Sequence, residues 1–174
     1  MKDISIRQET NSDQTVITQI HNGAFCRKEE GMLVNLLRIN YAFESQLSLV
    51  ADSGSDIIGH ILLFPIFIQT KLGRFPILSL GPIAVLPDFQ ELGIGGKLIT
   101  QAHTIGKRLG YGASVVIGHP LYYPRFGYKI ASLWGLSNPW KIHNEAFMAI
   151  EFTEGYLNDK AGICIYPDAY DIAT

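Results

Sequence analysis

The segment Gln90-Glu91-Leu92-Gly93-Ile94-Gly95-Gly96-Lys97 follows an apolar, strand-like stretch at 77–85 and opens a region with helical periodicity. Its glycines leave the first turn of the predicted helix almost bare of side chains. Without a Cβ, the backbone lets a bulky ligand come within hydrogen-bonding distance of the peptide N–H groups. These N–H groups have no partner inside the helix, and the helix dipole adds about half a positive charge. The segment therefore predicts a binding loop for phosphate or pyrophosphate.

The spacing of the glycines excludes two common phosphate-binding loops. A P-loop needs a glycine at the position of Glu91 and a Ser or Thr at the position of Leu98. A dinucleotide-binding fingerprint needs a third glycine, also at the position of Leu98, and usually opens the first strand-helix unit of a chain. We therefore expect neither nucleotide hydrolysis nor dinucleotide binding.

The remaining glycine pattern resembles that of a known enzyme family. Residues 83–96 are similar to the acetyl-coenzyme A motif of the GNAT superfamily of N-acetyltransferases. A second block resembles the tyrosine-bearing segment of this superfamily, in the form seen in its bacterial YhbS-like branch, and it reads Gly118-His119-Pro120-Leu121-Tyr122-Tyr123-Pro124-Arg125-Phe126-Gly127-Tyr128. The two blocks occur in the family's order, separated by one predicted helix and one predicted strand. The resemblance covers residues 4–166.

The resemblance implies a mixed α/β (α+β) fold and a cofactor site. Its sheet is expected to be central and mostly antiparallel, with about six to seven strands flanked by helices. A parallel pair of strands is expected to splay apart at the cofactor site. The implied co-substrate is acetyl-coenzyme A, without a metal ion. The residues expected to bind it are Ile83, Ala84 and Val85 along the pantetheine arm, and Gln90, Glu91, Leu92, Gly93, Ile94, Gly95, Gly96 and Lys97 around the pyrophosphate.

The chemistry implied by the resemblance is direct transfer of an acetyl group from a thioester to a primary amine, without an acyl-enzyme. Tyr123 lies four residues before Gly127, the spacing of the family's general acid, whereas Tyr122 is interpreted as a packing residue. A phenol is protonated at neutral pH and can donate to the leaving thiolate. A backbone N–H near Val85 is expected to stabilise the oxyanion. The alternative function is a non-catalytic acyl-coenzyme A sensor or interaction module.

The general base and the acceptor are left open by the residues. Ser79 and Leu80 stand where some relatives carry a carboxylate. Water, Glu30, Glu44 or no base at all are therefore the alternatives. The acceptor is a small-molecule amine or a protein amine. Three aromatic residues either line its site or fill the core: Trp134, Trp140 and Phe147.

Two positions depart from the family's commonest pattern. Gln90 replaces an Arg, so phosphate binding is expected to depend more on backbone donors, with Lys97 assisting or facing solvent. His119 and Pro120 stand where many relatives have Asn, so a secondary pantetheine contact is in doubt. His119 is interpreted as a residue that orients the turn, and His60 as a hydrogen-bonded core residue.

The composition favours one globular domain, placed at residues 1–174. Apolar residues make up 47% of the chain and charged residues 17%, which suffices for a hydrophobic core. The net charge of −2 offers no basic surface for nucleic acid. The longest apolar run, 57–68, is too short for a membrane span of about 20 residues. We therefore expect neither a nucleic-acid partner nor a membrane partner.

The N-terminus and the cysteines predict a reduced, cytoplasmic setting. Residues 1–7 alternate polar and apolar side chains and show no apolar core of a secretory signal. Cys26 and Cys164 lie far apart and outside any CxxC pair, which argues against a zinc site or a disulfide. Apolar segments near the C-terminus make a homodimer reasonable.

Hydrophobic periodicity predicts the order of the elements. The first helix is expected from its cap at Asn11 or Ser12 through about residue 24, the second at 29–40 and the third at 94–109. The first two helices are predicted to bury Val16, Ile17 and Ile20, and Met32, Leu33, Leu36 and Leu37. Gly81-Pro82 predicts a bulge or an unpaired edge in the strand at 77–85. Further strands are predicted at 4–7, 47–52, 57–69, 113–117, 128–130, 147–152 and 163–166.

Overall fold

A computed structural model describes residues 4–173 and arranges them around one mixed β-sheet; residues 1–3 and 174, the ends of the predicted domain, lie outside the described range. The helices are α1 (Gln14–Phe25), α2 (Glu29–Arg38) and α3 (Ile94–Arg108). The strands are β1 (Ser5–Gln8), β2 (Ser48–Asp52), β3 (Ile57–Thr70), β4 (Gly73–Val85), β5 (Ala113–Ile117), β6 (Lys129–Ile130), β7 (Leu136–Ser137), β8 (Phe147–Glu151) and β9 (Gly162–Ile165).

The sheet has the order β1-β2-β3-β4-β5-β8-β6, and β9 pairs with both β3 and β7. Neighbouring strands are antiparallel except for the parallel pairs β4–β5 and β7–β9. The helix between β4 and β5, α3, makes the crossover that a parallel pair requires. The expected mixed, mostly antiparallel fold is confirmed. The described residues form nine strands rather than six to seven, and two of the nine, β6 and β7, are only two residues long.

Helices cover both faces of the sheet. Along β3, Ile61 and Leu63 pack in a core cluster with α3, whereas Leu62 and Phe64 pack in a second cluster with α2. Successive side chains of a strand point to opposite faces, which produces this alternation. On the α2 side, α1 packs through Ile17. Within residues 4–173, no helix is long and apolar enough to cross a membrane.

The parallel pair β4–β5 separates before β4 ends. Its pairing runs from Leu78 with Ser114 to Leu80 with Val116. Beyond it, β4 remains bonded to β3 through Val85, with a register shift opposite the Gly81–Pro82 peptide, which is cis. Residues 83–85 therefore face the β5 side without a strand partner. The predicted interruption at Gly81-Pro82 and the splayed strand pair are both confirmed.

The predicted buried faces of the first two helices were partly wrong. In α1, Val16 is exposed and His21 is buried instead, beside Ile17 and Ile20. In α2, Met32 and Leu36 are 54% and 39% exposed, while Glu30 and Val34 are buried with Leu33 and Leu37. A helical period of 3.6 allows overlapping stripes, and packing against the sheet selects one of them. The buried polar members are tolerated because each has a hydrogen-bond partner.

Several element ends also differ from the predictions. Residues 11–13 form a 3-10 turn rather than α-helix, and the Asp13 carboxylate accepts hydrogen bonds from the backbone N–H and the hydroxyl of Thr10, so neither Asn11 nor Ser12 caps the helix. The second helix ends at Arg38, short of residue 40. The segment after β5 contains a 3-10 turn at Tyr123–Phe126. The third helix and the strand at 113–117 are confirmed.

Candidate active site

An open cleft of about 870 Å³ lies where β4 leaves β5. We call it the glycine-loop cleft. Its walls are the free end of β4, the loop after it, the first turn of α3 and the 3-10 turn at Tyr123–Phe126. The lining residues are Ile83, Ala84, Val85, Phe89, Gln90, Glu91, Gly93, Ile94, Gly95, Gly96, Tyr122, Arg125 and Phe126.

The first turn of α3 presents bare backbone to this cleft. Gly93, the residue before the helix, has φ +79°, in the left-handed region that favours glycine, and no side chain caps the helix there. A Cβ at Gly95 would lie 2.7 Å from the Tyr122 hydroxyl, and one at Gly96 would lie 3.3 Å from the Phe126 ring. The N–H groups of this turn have no acceptor within the helix. The arrangement therefore suits an anion held by peptide donors.

Gln90 has a structural partner inside the loop. Its side-chain amide donates to the carbonyl oxygen of Val85 at 3.0 Å, which ties the loop to the end of β4. Two other predicted residues lie outside the cleft lining. Leu92 is 54% exposed, and Lys97 lines a neighbouring groove with Thr100 and Gln101.

Arg125 is the positively charged side chain among the lining residues of the cleft. It was not identified as a site residue from the sequence. The Arg125 guanidinium lies over the Tyr122 ring, 4.5 Å from its centroid, and has no carboxylate partner within residues 4–173. The sequence did contain an indication of this role. Gln90 replaces the positively charged Arg of the family's commonest pattern, and Arg125 is the arginine of the second motif block, 118–128. Tyr122 and Phe126 were also missed as lining residues.

A second cavity of about 400 Å³ adjoins the cleft, and Ile83 and Tyr122 line both. We call it the aromatic pocket. Five separate parts of the chain form it: the α1–α2 junction with the start of α2, the bend of β4, the end of β5 with the loop after it, the loop before β8 and the C-terminal segment. Its lining residues are Phe25, Arg27, Glu30, Leu33, Ser79, Leu80, Gly81, Pro82, Ile83, Ile117, Gly118, His119, Tyr122, Tyr123, Trp140, Tyr166, Tyr170 and Ala173.

Tyr123 is buried beside the junction of the two cavities. Its ring packs edge-on against the rings of Tyr122 and Tyr128, with centroids 5.2 and 5.8 Å away. Gly118 lies so close that any Cβ there would overlap the Tyr123 ring. Burial, followed by the nearby Tyr122, raises the pKa of Tyr123, so the phenol is protonated at neutral pH. Within residues 4–173 its hydroxyl has no hydrogen-bond partner, so no protein acceptor competes for its proton.

The two carboxylates considered as bases occupy different environments. Glu30 lines the aromatic pocket, is 4% exposed and accepts hydrogen bonds from Arg27 Nε at 2.9 and 3.1 Å, with a further bond from Arg27 Nη2. Glu44 lines neither cavity and accepts from the backbone N–H of Gln46. Among the described lining residues of the pocket, Glu30 is the only carboxylate, and Arg27 already neutralises it. Within the described range, no group of three or more His, Cys, Asp or Glu side chains is placed to hold a metal ion.

A buried polar network braces α1 against the sheet. Arg38 Nε donates to Glu9 at 2.7 Å, and the Ser48 hydroxyl donates to the same carboxylate at 2.6 Å. The hydroxyl has one proton, so it accepts from Nε2 of His60, whose Nδ1 then accepts from Nε2 of His21 at 2.8 Å. His60 is therefore a hydrogen-bonded core residue, as predicted. Burial, followed by the nearby His60, lowers the pKa of His21 to about 2, which keeps it neutral.

The other histidine of interest has a local role. His119 Nδ1 accepts a hydrogen bond from the backbone N–H of Leu121 at 3.2 Å. This contact orients the turn at Pro120, as the sequence predicted. The ring also forms part of the aromatic pocket wall.

Comparisons with known proteins identify the family of the chain. The chain matches the acetyltransferase (GNAT) domain family over residues 5–131. The N-acetyltransferase YjhQ of Escherichia coli strain K12 is 31% identical over 135 residues, which cover 77% of this chain and 75% of YjhQ. The structure of the GNAT N-acetyltransferase YhbS from Escherichia coli in complex with CoA has a TM-score of 0.91 at 26% identity, covering 98% of this chain and 93% of that one.

A second solved structure gives the same result at higher sequence identity. A GNAT family acetyltransferase from Brucella melitensis, in complex with acetyl-CoA, has a TM-score of 0.80 at 30% identity and covers 98% of this chain and 100% of its own. Family match, sequence relatives and structures agree, so the chain belongs to the acetyltransferase (GNAT) domain family and is an N-acetyltransferase.

Proposed function

We propose that this protein transfers the acetyl group of acetyl-coenzyme A to a primary amine by direct attack, with Tyr123 as the general acid. The observation that carries the proposal is the junction of two cavities at Ile83 and Tyr122, with the Tyr123 phenol beside it. One cavity offers peptide donors to a phosphate and the other can hold a second substrate. The relatives crystallised with CoA and with acetyl-CoA support the choice of cofactor.

The cofactor is proposed to lie along the glycine-loop cleft. The unpaired backbone of Ile83, Ala84 and Val85 would bond the amides of the pantetheine arm. The first-turn N–H groups of Gly93, Ile94, Gly95 and Gly96 would hold the pyrophosphate, with Gln90 and Glu91 shaping the loop. Arg125 would add the positive charge that Gln90 lacks. Leu92 and Lys97 remain proposed members of this site, at its edge.

The reaction needs a neutral amine, an oxyanion donor and a proton for the leaving group. The amine nitrogen attacks the thioester carbonyl, a C–N bond forms, and a backbone N–H near Val85 stabilises the oxyanion. The C–S bond then breaks, and Tyr123 protonates the leaving thiolate. Water is the proposed acceptor of the amine proton, because Glu30 is held by Arg27 and Glu44 lies outside both cavities. A proton from water restores Tyr123.

The experiment that tests this function measures release of coenzyme A thiol from acetyl-coenzyme A in the presence of an amine panel. Tyr123→Phe is expected to lower kcat by about 10²- to 10⁴-fold, the usual contribution of general acid catalysis, and to leave the KM for acetyl-coenzyme A unchanged. Tyr41→Phe is the matched control, because Tyr41 is 99% exposed.

The neighbouring variant Tyr122→Phe asks which phenol donates the proton. A loss of turnover in Tyr122→Phe with full turnover in Tyr123→Phe would transfer the role to Tyr122. Binding of acetyl-coenzyme A without thiol release for any amine would instead support a non-catalytic sensor.

A further inference from the structure

We infer that the amine acceptor is a small molecule with an aromatic body and no second charge, bound in the aromatic pocket with Trp140 and Tyr166 as specificity-determining residues. This inference rests on the proposed function, since it assigns the class of the second substrate of that reaction. Three features of the pocket carry it: its aromatic walls, its internal charge balance and its small volume.

The aromatic walls form a connected cluster. The ring of Tyr166 lies between those of Trp140 and Tyr170, with centroid distances of 4.7 and 5.0 Å. The indole N–H of Trp140 donates to Asp171 at 2.9 Å, which fixes its orientation. Phe25, at the end of α1, contributes a further ring to the lining. Offset and edge-on contacts with a flat ring are favourable in such a site.

The pocket balances its own charge. Arg27 and Glu30 are its only Arg, Lys, Asp or Glu side chains within the described residues, and they bond each other. A second ammonium group on the acceptor would lose its water without gaining a free carboxylate, which is costly. An acceptor carboxylate or phosphate would meet a guanidinium that is already engaged. Both polyamines and strongly anionic amines are therefore disfavoured.

The same environment addresses the missing general base. An ammonium group entering an apolar site has its pKa lowered by desolvation, which increases the neutral form that attacks the thioester. The cavity of about 400 Å³ is also near the lower end of small-molecule sites, which span roughly 300–1,000 Å³. A compact arylalkylamine or arylamine fits these requirements better than a peptide.

Tyr166 contributes its ring to the pocket wall. Its hydroxyl oxygen is buried, and the Ser79 side chain lies near enough to oppose the rise in pKa that burial causes, so the hydroxyl is not presented to a ligand. The ring, which lines the pocket beside Trp140, is the part that an acceptor can contact. We therefore assign Tyr166 to recognition of the aromatic body of the acceptor.

The test compares kcat/KM for phenylethylamine, tyramine and tryptamine with those for spermidine and an N-terminally blocked lysine peptide. The aromatic amines are expected to exceed the other two by at least about tenfold. Trp140→Ala is expected to raise the KM of the best aromatic amine about tenfold and Tyr166→Leu severalfold, whereas Tyr166→Phe keeps the ring and should leave that KM almost unchanged. The KM for acetyl-coenzyme A should stay unchanged in all three variants. Phe25→Ala, at a half-exposed position, provides a second wall variant if Trp140→Ala does not fold.

The outcomes separate the inference from the function on which it rests. Thiol release that is fastest with spermidine or the peptide would overturn the aromatic assignment and leave the acetyltransferase function intact. Equal kinetic effects on both substrates would overturn the roles of Trp140 and Tyr166. No release with any amine would overturn the proposed function and this inference with it. Tyr41→Phe is again the control.

Discussion

The glycine-loop cleft and the aromatic pocket meet at two residues but are built in different ways. The cleft is formed mainly by one continuous strand-loop-helix segment, 83–96, and offers peptide N–H groups to its ligand. The pocket is formed by five distant parts of the chain and offers side chains, several of them aromatic. Recognition by backbone tolerates sequence change except where glycine is required, whereas recognition by side chains changes with each substitution. One fold can therefore keep its cofactor and exchange its acceptor.

The largest change is expected from a substitution that blocks ligand recognition by the backbone of the glycine-loop cleft. Gly95→Val would place a branched side chain in the cleft and force it against Tyr122. We expect the affinity for coenzyme A, measured by calorimetric titration, to fall by at least about 100-fold, because charged hydrogen bonds are worth roughly 1.5–3 kcal/mol each.

The control for this substitution is Gly23→Val. Gly23 is also helical, but no atom lies within 4 Å of a Cβ built there. It should bind coenzyme A like the unsubstituted protein. If folded Gly95→Val bound coenzyme A with full affinity, the first turn of α3 would not be the phosphate-binding part of the glycine-loop cleft.

The second prediction concerns the buried hydrogen bonds that hold α1, and with it one wall of the aromatic pocket, against the sheet. Phe25 reaches the pocket from α1, whose His21 is bonded to His60 in the buried network. A histidine with a folded pKa of about 2 binds fewer protons than one in the unfolded chain, whose pKa is about 6.5. Stability is therefore complete above pH 6.5 and decreases as the pH falls. His21 alone should lower the free energy of unfolding by about 2 kcal/mol between pH 7 and pH 5.

Urea unfolding at several pH values measures this effect. His21→Gln should show a shallower decrease of stability with acid, and His143→Gln, at an exposed position, should retain the full decrease. An unchanged pH dependence in His21→Gln would show that the network does not support α1.

The smallest effect asks which cation serves the cleft. Arg125→Gln is expected to raise the KM for acetyl-coenzyme A about three- to tenfold, because an exposed charge contributes modestly and is screened by salt. Lys97→Gln should change it less, because Lys97 lies in the neighbouring groove. The effect of Arg125→Gln should shrink at high ionic strength. A larger effect of Lys97→Gln would show that Lys97, rather than Arg125, is the main cation of the phosphate site.

The difference between the two regions also explains what the sequence could predict. Residues 83–96 are contiguous, so their spacing alone indicates the bare helix turn and its class of ligand, whereas the splayed strand pair was implied by the resemblance to the family. Tyr122 and Arg125 reach the same cleft only because the β4-α3-β5 crossover returns the chain beside it. Their place depends on topology, which a local pattern does not contain.

The aromatic pocket was much less predictable. All three aromatics considered for the acceptor side pack in or against the core cluster under α2, and of these three only Trp140 also lines the pocket. Tyr166 ends the strand predicted at 163–166 and Tyr170 lies beyond it, and nothing in the local sequence places either residue in a pocket. In α2, Met32 and Leu36 matched the helical period as well as Val34 did, and only packing against Ile17 and Val50 selects Val34. Side chains that come together from distant segments have no characteristic spacing in the sequence, so the pocket could not be predicted from a local pattern.

The assignment of the glycine-loop cleft to coenzyme A is tested most simply by the melting temperature of the protein. It is measured with coenzyme A, acetyl-coenzyme A, ATP and NADH, each near one millimolar. A ligand at about 100 times its Kd adds roughly 2.7 kcal/mol of stability, which is about 5 to 10 °C for a domain of this size. We predict a shift of this order with both coenzyme A forms and none with ATP or NADH. No shift with either coenzyme A form, or a larger one with ATP or NADH, would contradict the assignment of the glycine-loop cleft.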